Sequence, residues 1–180
     1  RVSSNLTTDS GSKWRISGMT LQNSSTSGGI ISVTDNTPPW RYGWRIDHLK
    51  LNYTSLSGAG ITIWGVTYGL IDHIDFIWGS AIAILVMSQE STTPDEYPGS
   101  ATTPRGGYCE SLPLDMGTNK AVYIEDNTFT SNASGGYAPY DTSYGGGRAV
   151  FRYNTVTGGC YYTHWTRDVE IGGILNEVYN

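Results

Sequence analysis

The sequence has little charge and no long apolar run. Only 15% of its 180 residues are charged, and its 11 lysines and arginines are scattered singly, for a formal net charge of −5. Without a basic stripe to contact a phosphate backbone, nucleic acid is a poor partner. No apolar stretch approaches the roughly 20 residues of a membrane-spanning helix, and the first residues lack the apolar core of a signal peptide. We therefore expect no membrane span, and we expect any export signal to lie outside this sequence.

Cysteine is also scarce. Cys109 and Cys160 form neither a disulfide framework nor a metal-ligand spacing, and we interpret them as buried free thiols. The chain lacks a Gly-x-Ser-x-Gly motif and a dinucleotide fingerprint, which argues against the corresponding chemistry. Asn-x-Ser/Thr triplets favour an extracellular location, or one on a cell or virion surface, and they begin at Asn5, Asn23, Asn52 and Asn132.

A six-residue phrase with apolar ends and a polar middle recurs along the chain. Five full copies and one truncated copy, at intervals of 30, 25, 53, 27 and 27 residues, begin at Ile16, Ile46, Ile71, Ile124, Phe151 and Val178. A period in the twenties is typical of stacked coils. We expect one unit over residues 1–180 with about six coils, which forms a segment of a longer solenoid.

Each phrase is followed, after 5 to 10 residues, by a second apolar stretch. These stretches cover residues 30–33, 61–64, 82–85, 137–140 and 161–164, and several follow a glycine. Short runs with glycine punctuation predict two or three strands in each coil. Because equivalent strands run the same way round each coil, the sheets should be parallel, with an all-β fold around an apolar column.

Asparagine recurs at the fourth position of the phrase, as Asn127 and Asn154. There it would adopt a left-handed backbone conformation and hydrogen-bond along the stack. With this asparagine ladder and coil length, the chain resembles the right-handed parallel β-helix proteins of the pectate-lyase-like superfamily. The resemblance covers nearly the whole chain and implies a fold more than a reaction.

The interval of 53 residues indicates a long insertion at about residues 88–119. Long irregular loops on a solenoid usually build its functional rim. An additional, poorly patterned coil within this stretch is the alternative interpretation.

Aligning the phrases predicts a polar ladder, because equivalent residues of neighbouring coils lie about 4.8 Å apart. Position two contains Ser17, Asp47, Asp72, Glu125 and Arg152, and position three contains Gly18, His48, His73, Asp126 and Tyr153. The carboxylates of Asp47, Asp72 and Glu125 would bind calcium, or one of them would serve as an acid catalyst. The alternative is ordinary surface pairing, Glu125 with Arg152 and Asp75 with Lys50, in which case the protein has no metal cofactor.

The second apolar stretch predicts another face. Its outward positions are expected to be Val33, Trp64, Leu85, Tyr140 and His164, with Tyr162 beside them. Aromatic platforms suit the apolar faces of sugar rings, so we predict a polysaccharide groove lined by Trp64, Tyr140 and Tyr162. The resemblance also implies a groove on such a face. His164, Asp141 and Arg167 are the candidate catalytic residues. Packing against the insertion or against another chain is the alternative role of the aromatic residues.

These patterns support two functions of different classes. The first is an extracellular β-helix that binds a polysaccharide and cleaves it as a lyase or a glycoside hydrolase. The second is a non-catalytic stalk or fibre, such as a tailspike or adhesin segment, that assembles into a homo-oligomer. Neither catalytic set is complete in the sequence.

Overall fold

A computed structural model describes the strands and most of the short turns of the chain. The described residues are 4–6, 13–22, 30–35, 41–53, 59–65, 67–79, 82–87, 117–119, 121–132, 138–142, 147–159 and 175–179. Most of the predicted insertion at 88–119, together with Cys109 and Cys160, therefore lies outside them. Within these ranges the chain is all-β and contains no helix, and none of it could cross a membrane as an apolar helix.

In the part of the chain that the structure describes, sixteen strands form three sheets, which we name A, B and C. Sheet A contains β1 (Ser4–Leu6), β4 (Ile31–Asp35), β7 (Ile61–Gly65), β10 (Ile84–Met87) and β13 (Tyr140–Asp141). Sheet B contains β2 (Arg15–Ser17), β5 (Arg41–Asp47), β8 (Thr67–Asp72), β11 (Val122–Glu125), β14 (Arg148–Arg152) and β16 (Leu175–Tyr179). Sheet C contains β3 (Thr20–Gln22), β6 (Lys50–Tyr53), β9 (Asp75–Trp78), β12 (Thr128–Ser131) and β15 (Thr155–Thr157).

Among the described strands all pairings are parallel, and each links a strand to its counterpart in the next coil. From β1 to β15 the described strands pass in turn from sheet A to sheet B to sheet C, and β16 adds a further strand to sheet B. In sheet B, for example, β5 pairs with β8 and β8 pairs with β11. The prediction of a parallel β-solenoid with several strands in each coil is confirmed.

The recurring phrase ends a strand of sheet B, makes a short turn and begins a strand of sheet C. Its first apolar residue points inward from sheet B, and Ile46, Ile71 and Ile124 lie in one register column with no exposed surface. Its last apolar residue points inward from sheet C, where the rings of Phe76 and Phe129 stack 4.6 Å apart. Full burial of one such side chain contributes roughly 1.5–3 kcal/mol. Repetition of the phrase therefore builds the core.

A glycine lets the core accommodate a tryptophan beside sheet B. Gly69 is the register partner of Trp44, and a Cβ atom at Gly69 would lie only 2.2 Å from the Trp44 ring. The Trp44 ring in turn stacks on Trp14, with the ring centroids 5.6 Å apart. The missing side chain of Gly69 thus leaves room for the Trp44 ring and keeps this inward column filled.

The turn between sheets B and C has a left-handed residue at the third position of the phrase. Gly18, His48, His73, Asp126 and Tyr153 all have positive φ, between 50° and 76°. The predicted left-handed conformation of Asn127 and Asn154, at the fourth position, is wrong, because the preceding residue makes the turn. The predicted hydrogen bonding along the stack is confirmed: Asn127 Nδ2 donates to Asn154 Oδ1 at 3.0 Å.

Candidate functional site

The predicted aromatic face on sheet A has a different register. Val33 pairs with Ile63, and Tyr140 pairs with Ile84, so both are inward residues, and both are buried. The prediction that Val33 and Tyr140 point outward is wrong. Side chains alternate along a strand, and a slip of one residue in the alignment exchanges the two faces. Tyr140 instead stacks on Phe151 in the core, with ring centroids 4.8 Å apart.

Trp64 and Asp141 do occupy outward positions of sheet A. Trp64 is half-buried and lies between Thr34 and Met87 in neighbouring strands. Asp141 lies beside Leu85 and is fully buried. Tyr162, His164 and Arg167 lie outside the described residues, so the predicted catalytic set is represented in the structure by Asp141 alone.

The predicted carboxylate ladder is present on sheet B. Asp47 pairs in register with Asp72, and Asp72 pairs with Glu125. Sequence reasoning missed its partners, which are arginines of the preceding coil, two residues before the second position of the phrase. Arg15 Nε donates to Asp47 Oδ1 at 2.8 Å, and Arg45 binds Asp72 with two hydrogen bonds of 2.9 and 2.6 Å.

These ion pairs decide what the carboxylates can do chemically. Arg45 Nε also lies 3.1 Å from Asp47 Oδ2, so positive and negative groups alternate along the ladder. The hydrogen bond from Arg15 holds the pKa of the buried Asp47 carboxyl well below its usual range, against the opposing effect of burial. A carboxyl that stays ionised cannot act as a general acid. Guanidinium groups thus occupy the positions predicted for calcium, and among the described residues no three His, Cys, Asp or Glu side chains converge to hold a metal ion.

Two imidazoles lie at the end of this ladder. His48 Nδ1 lies 3.0 Å from Asp47 Oδ2, and His73 Nδ1 lies 2.7 Å from Asp72 Oδ2. Their rings stack with a centroid separation of 4.9 Å and an interplanar angle of 3°. A buried aspartate therefore orients each exposed imidazole.

The third carboxylate of the ladder belongs to a different cluster. Glu125 forms an ion pair with Arg152, as the alternative interpretation of the sequence predicted. The Arg152 guanidinium also lies over the ring of Tyr123, 5.0 Å from its centroid. Burial raises the pKa of the Tyr123 hydroxyl, which donates a hydrogen bond to the Thr118 carbonyl. This cluster holds the Tyr123 ring in a fixed position.

An open groove runs along the outer face of sheet B beside this cluster, and we call it the Tyr123 groove. Its volume is about 430 Å³, and its lining includes Lys13, Gly43, Leu70, Tyr123 and Arg152. These residues lie on or beside five neighbouring strands of sheet B, which span about 19 Å at the usual strand spacing. Ala121 and Val150 are buried against Tyr123 and make part of its base apolar. The groove is long, with an aromatic wall and cationic side chains at both ends.

The groove was not predicted from the sequence, although one signal for it was present. Leu70 and Tyr123 each lie one residue before an inward isoleucine, and the register pairs them as outward neighbours. An outward apolar ladder beside the phrase would have indicated a binding surface. Gly69 also lines the groove, and its need for a missing side chain appears only with the packing of the Trp44 ring.

Comparisons with protein-family models, with curated proteins and with solved structures find no match to this chain.

Proposed function

We propose that the chain is a right-handed parallel β-helix of the pectate-lyase-like type that binds a polysaccharide in the Tyr123 groove. The observation that carries the proposal is the combination of a long open groove with a fixed aromatic ring in its wall. The apolar face of a sugar ring stacks on Tyr123, while its hydroxyl groups contact polar residues at the rim. A chain of sugars fits a surface that runs across several coils.

The charged residues of the groove bear on the class of sugar. Lys13 is exposed at one end, whereas Arg152 is paired with Glu125 at the other. The groove therefore favours a sugar with a carboxylate or sulfate group near Lys13 over an unsubstituted one. The ion pair with Glu125 fixes the Arg152 guanidinium in place. The Tyr123 ring is then the stacking surface.

The finer details of the fold are part of the same proposal. Six strands in sheet B support a count of six coils. Right-handed winding is supported by the general rule that crossovers between parallel strands of one sheet are right-handed in about 98% of cases. The asparagine ladder at Asn127 and Asn154 supports the resemblance to the pectate-lyase-like superfamily. An extracellular or surface location stays a prediction from the Asn-x-Ser/Thr triplets.

Binding is tested by calorimetry with soluble uronate-containing, sulfated and neutral polysaccharides. Tyr123→Ala should weaken binding at least tenfold, because stacking of the sugar ring on the tyrosine is lost together with the apolar wall. Trp64→Ala, on the outer face of sheet A, is the matched control and should bind as the native chain does. If Trp64→Ala abolishes binding and Tyr123→Ala does not, the polysaccharide site lies on sheet A, as the sequence predicted.

Cleavage is a separate step of the proposal. A lyase needs a base and a group that neutralises the uronate, and a hydrolase needs two carboxyl groups on either side of the scissile bond. The candidates predicted from the sequence are His164, Asp141 and Arg167, and because Asp141 belongs to sheet A, cleavage by this set requires the polysaccharide to contact that sheet as well. New unsaturated or reducing ends that disappear in His164→Ala would support catalysis, whereas binding without products would indicate a carbohydrate-binding protein.

A structural stalk is the second candidate function, and one observation favours it. Val156 and Val178 occupy inward columns yet are 44% and 50% exposed, beside the exposed Tyr179. Apolar surface at a parallel sheet edge suits stacking on another copy. A multimeric mass in solution, reduced by Val178→Lys, together with no polysaccharide binding, would favour the stalk.

A further inference from the structure

The two stacked imidazoles at the turn between sheets B and C are repeated features of one backbone geometry. His48 and His73 have φ values of 50° and 52° in the same register column, so their side chains leave the backbone in the same direction. Their exposed fractions are 55% and 52%, in contrast to 0% for Asp47 and 4% for Asp72. Each histidine therefore has one buried side, at the aspartate, and one side in solvent.

The aspartates determine which ring nitrogen is available. An ionised carboxylate accepts a hydrogen bond from Nδ1–H, so Nδ1 carries the proton and Nε2 keeps its lone pair. Both histidines line the same open hollow, which is also lined by Lys50 and Asp75. A carboxylate that binds one nitrogen while the other is free is the arrangement that commonly orients metal-binding histidines.

We propose that Nε2 of His48 and Nε2 of His73 together bind one borderline transition-metal ion, such as Cu²⁺ or Zn²⁺. Neutral imidazole is a preferred ligand of these ions, and water completes the coordination. The buried aspartates act as positioning residues and not as ligands. The site differs from the calcium site expected from the sequence in its ligand atoms, its type of ion and its place on the turn.

The assignment requires the two rings to leave their stack. Zinc–nitrogen bonds are about 2.0–2.1 Å long, so two nitrogens bound to one tetrahedral ion lie about 3.3 Å apart, and the ion lies in the plane of each ring. The ring centroids are 4.9 Å apart and the rings are parallel, so both imidazoles must rotate toward each other on metal binding. Exposed side chains make such a movement without displacing the core.

The repeat also makes the site specific to two coils. The same turn position is Gly18 in the preceding coil and Asp126 and Tyr153 in the following ones. Among the described turns, one pair of adjacent coils presents two imidazoles, and the expected stoichiometry is one ion per chain. The chain has one further histidine, His164, which belongs to a different part of the sequence.

The test is titration of the full chain with Cu²⁺ and with Zn²⁺, followed by calorimetry and by electron paramagnetic resonance of the copper form. His48→Asn and His73→Asn keep a residue that tolerates positive φ, and each should weaken binding about tenfold or more. Tyr153→Asn at the same turn position and His164→Asn are the controls and should bind one ion as before. The copper spectrum should show two nitrogen ligands in the native chain and fewer in either His48 or His73 variant.

Three outcomes would overturn the proposal: no binding, unchanged binding in both histidine variants, or loss of binding in His164→Asn. The positioning role is tested by Asp72→Asn, which should weaken metal binding about 10- to 100-fold. Nitrogen-15 spectra of the metal-free chain should show His73 with Nδ1 protonated and should show a mixed tautomer in Asp72→Asn. An unchanged tautomer and unchanged affinity in this variant would contradict the positioning role.

Discussion

The turn between sheets B and C is stabilised in two different ways along the same column of coils. In the later coils, the fourth position of the phrase is asparagine, and Asn127 and Asn154 form an amide ladder. In the earlier coils the same position is Leu49 and Ile74, which are buried in the core. There the polar interactions move one and two residues back, to the stacked histidines and the Arg–Asp ion pairs.

This comparison shows what a stacked fold demands of its sequence. Each residue contacts the equivalent residue of the next coil. It therefore has to be chemically compatible with that neighbour, and matching a consensus sequence matters less. Amide pairs with amide, ring with ring, and carboxylate with guanidinium. One left-handed turn is therefore compatible with two chemistries, provided that each extends over at least two coils.

The largest effect is expected from Asn127→Ala, which interrupts the amide ladder. The buried Asn127 side chain accepts a hydrogen bond from Ile74 N–H at 3.0 Å and donates one to the Ile71 carbonyl at 3.0 Å. Loss of both partners should lower the free energy of unfolding by about 3 kcal/mol, since each unsatisfied buried group costs about 1–3 kcal/mol. Denaturant unfolding measures the loss, and hydrogen exchange should show loss of protection at the Ile74 amide.

Leu49→Ala is the matched variant at the same position of an earlier coil. It removes packing but leaves the bond between Asn127 and the Ile74 amide in place, so that amide should stay protected from exchange relative to global unfolding. Equal loss of protection at Ile74 in both variants would show that packing alone stabilises the turn. The earlier and later coils would then not differ in how the turn is stabilised.

The second prediction concerns the ion pairs of the earlier coils. Asp47→Asn should lower the free energy of unfolding at pH 7 by about 2 kcal/mol, because charge-assisted hydrogen bonds contribute about 1.5–3 kcal/mol each and Arg15 is partly exposed to water. Chemical denaturation of Asp47→Asn measures this difference. The exposed turn residue provides a control, Asp126→Asn, which should change stability by less than about 0.5 kcal/mol.

The same pair predicts a pH dependence with a definite sign. The pKa of Asp47 is lowered in the folded chain, chiefly by its hydrogen bond from Arg15, so ionised Asp47 favours the folded state. Its contribution is complete above the unfolded pKa of about 3.9 and declines as the pH falls below that value. The stability difference between the native chain and Asp47→Asn should therefore shrink between about pH 4 and pH 2. A constant difference over this range would contradict the ion-pair assignment.

The sequence was a good guide where a column repeats one chemical class. Isoleucine at the start of the phrase predicted the inward column of sheet B, and the Asp47, Asp72 and Glu125 ladder followed from it in the correct register. Sheet A was aligned incorrectly because 30–33 and 61–64 were matched by their first apolar residues, whereas the structure pairs Ser32 with Thr62. The one polar residue in each stretch was the signal for the correct register, and a shift of one residue exchanges the two faces.

The ion pairs and the left-handed turn residue were harder to predict for another reason. The partner of Asp47 is Arg15, one coil earlier and two positions back, so the contact is diagonal and does not appear in a column-by-column alignment. The left-handed third position was equally hidden, because it is occupied by glycine, histidine, aspartate and tyrosine. These residues share a backbone conformation and no side-chain property, and here the preference of asparagine for that conformation pointed to the wrong position.

The smallest effect on stability is expected where the metal effect is largest, at the stacked histidines. Each ring is about half exposed, and an aromatic pair contributes about 0.5–1.5 kcal/mol, toward the lower end at such a site. His73→Asn should thus lower the free energy of unfolding by less than about 1 kcal/mol in metal-free buffer, measured by the same denaturant unfolding as Asn127→Ala. A loss of 3 kcal/mol or more would make the ring stack an equivalent of the amide ladder. A small loss would show that the turn contributes differently in the two sets of coils. In the later coils its amide ladder stabilises the fold, whereas in the earlier coils it presents two oriented imidazoles that the fold does not require.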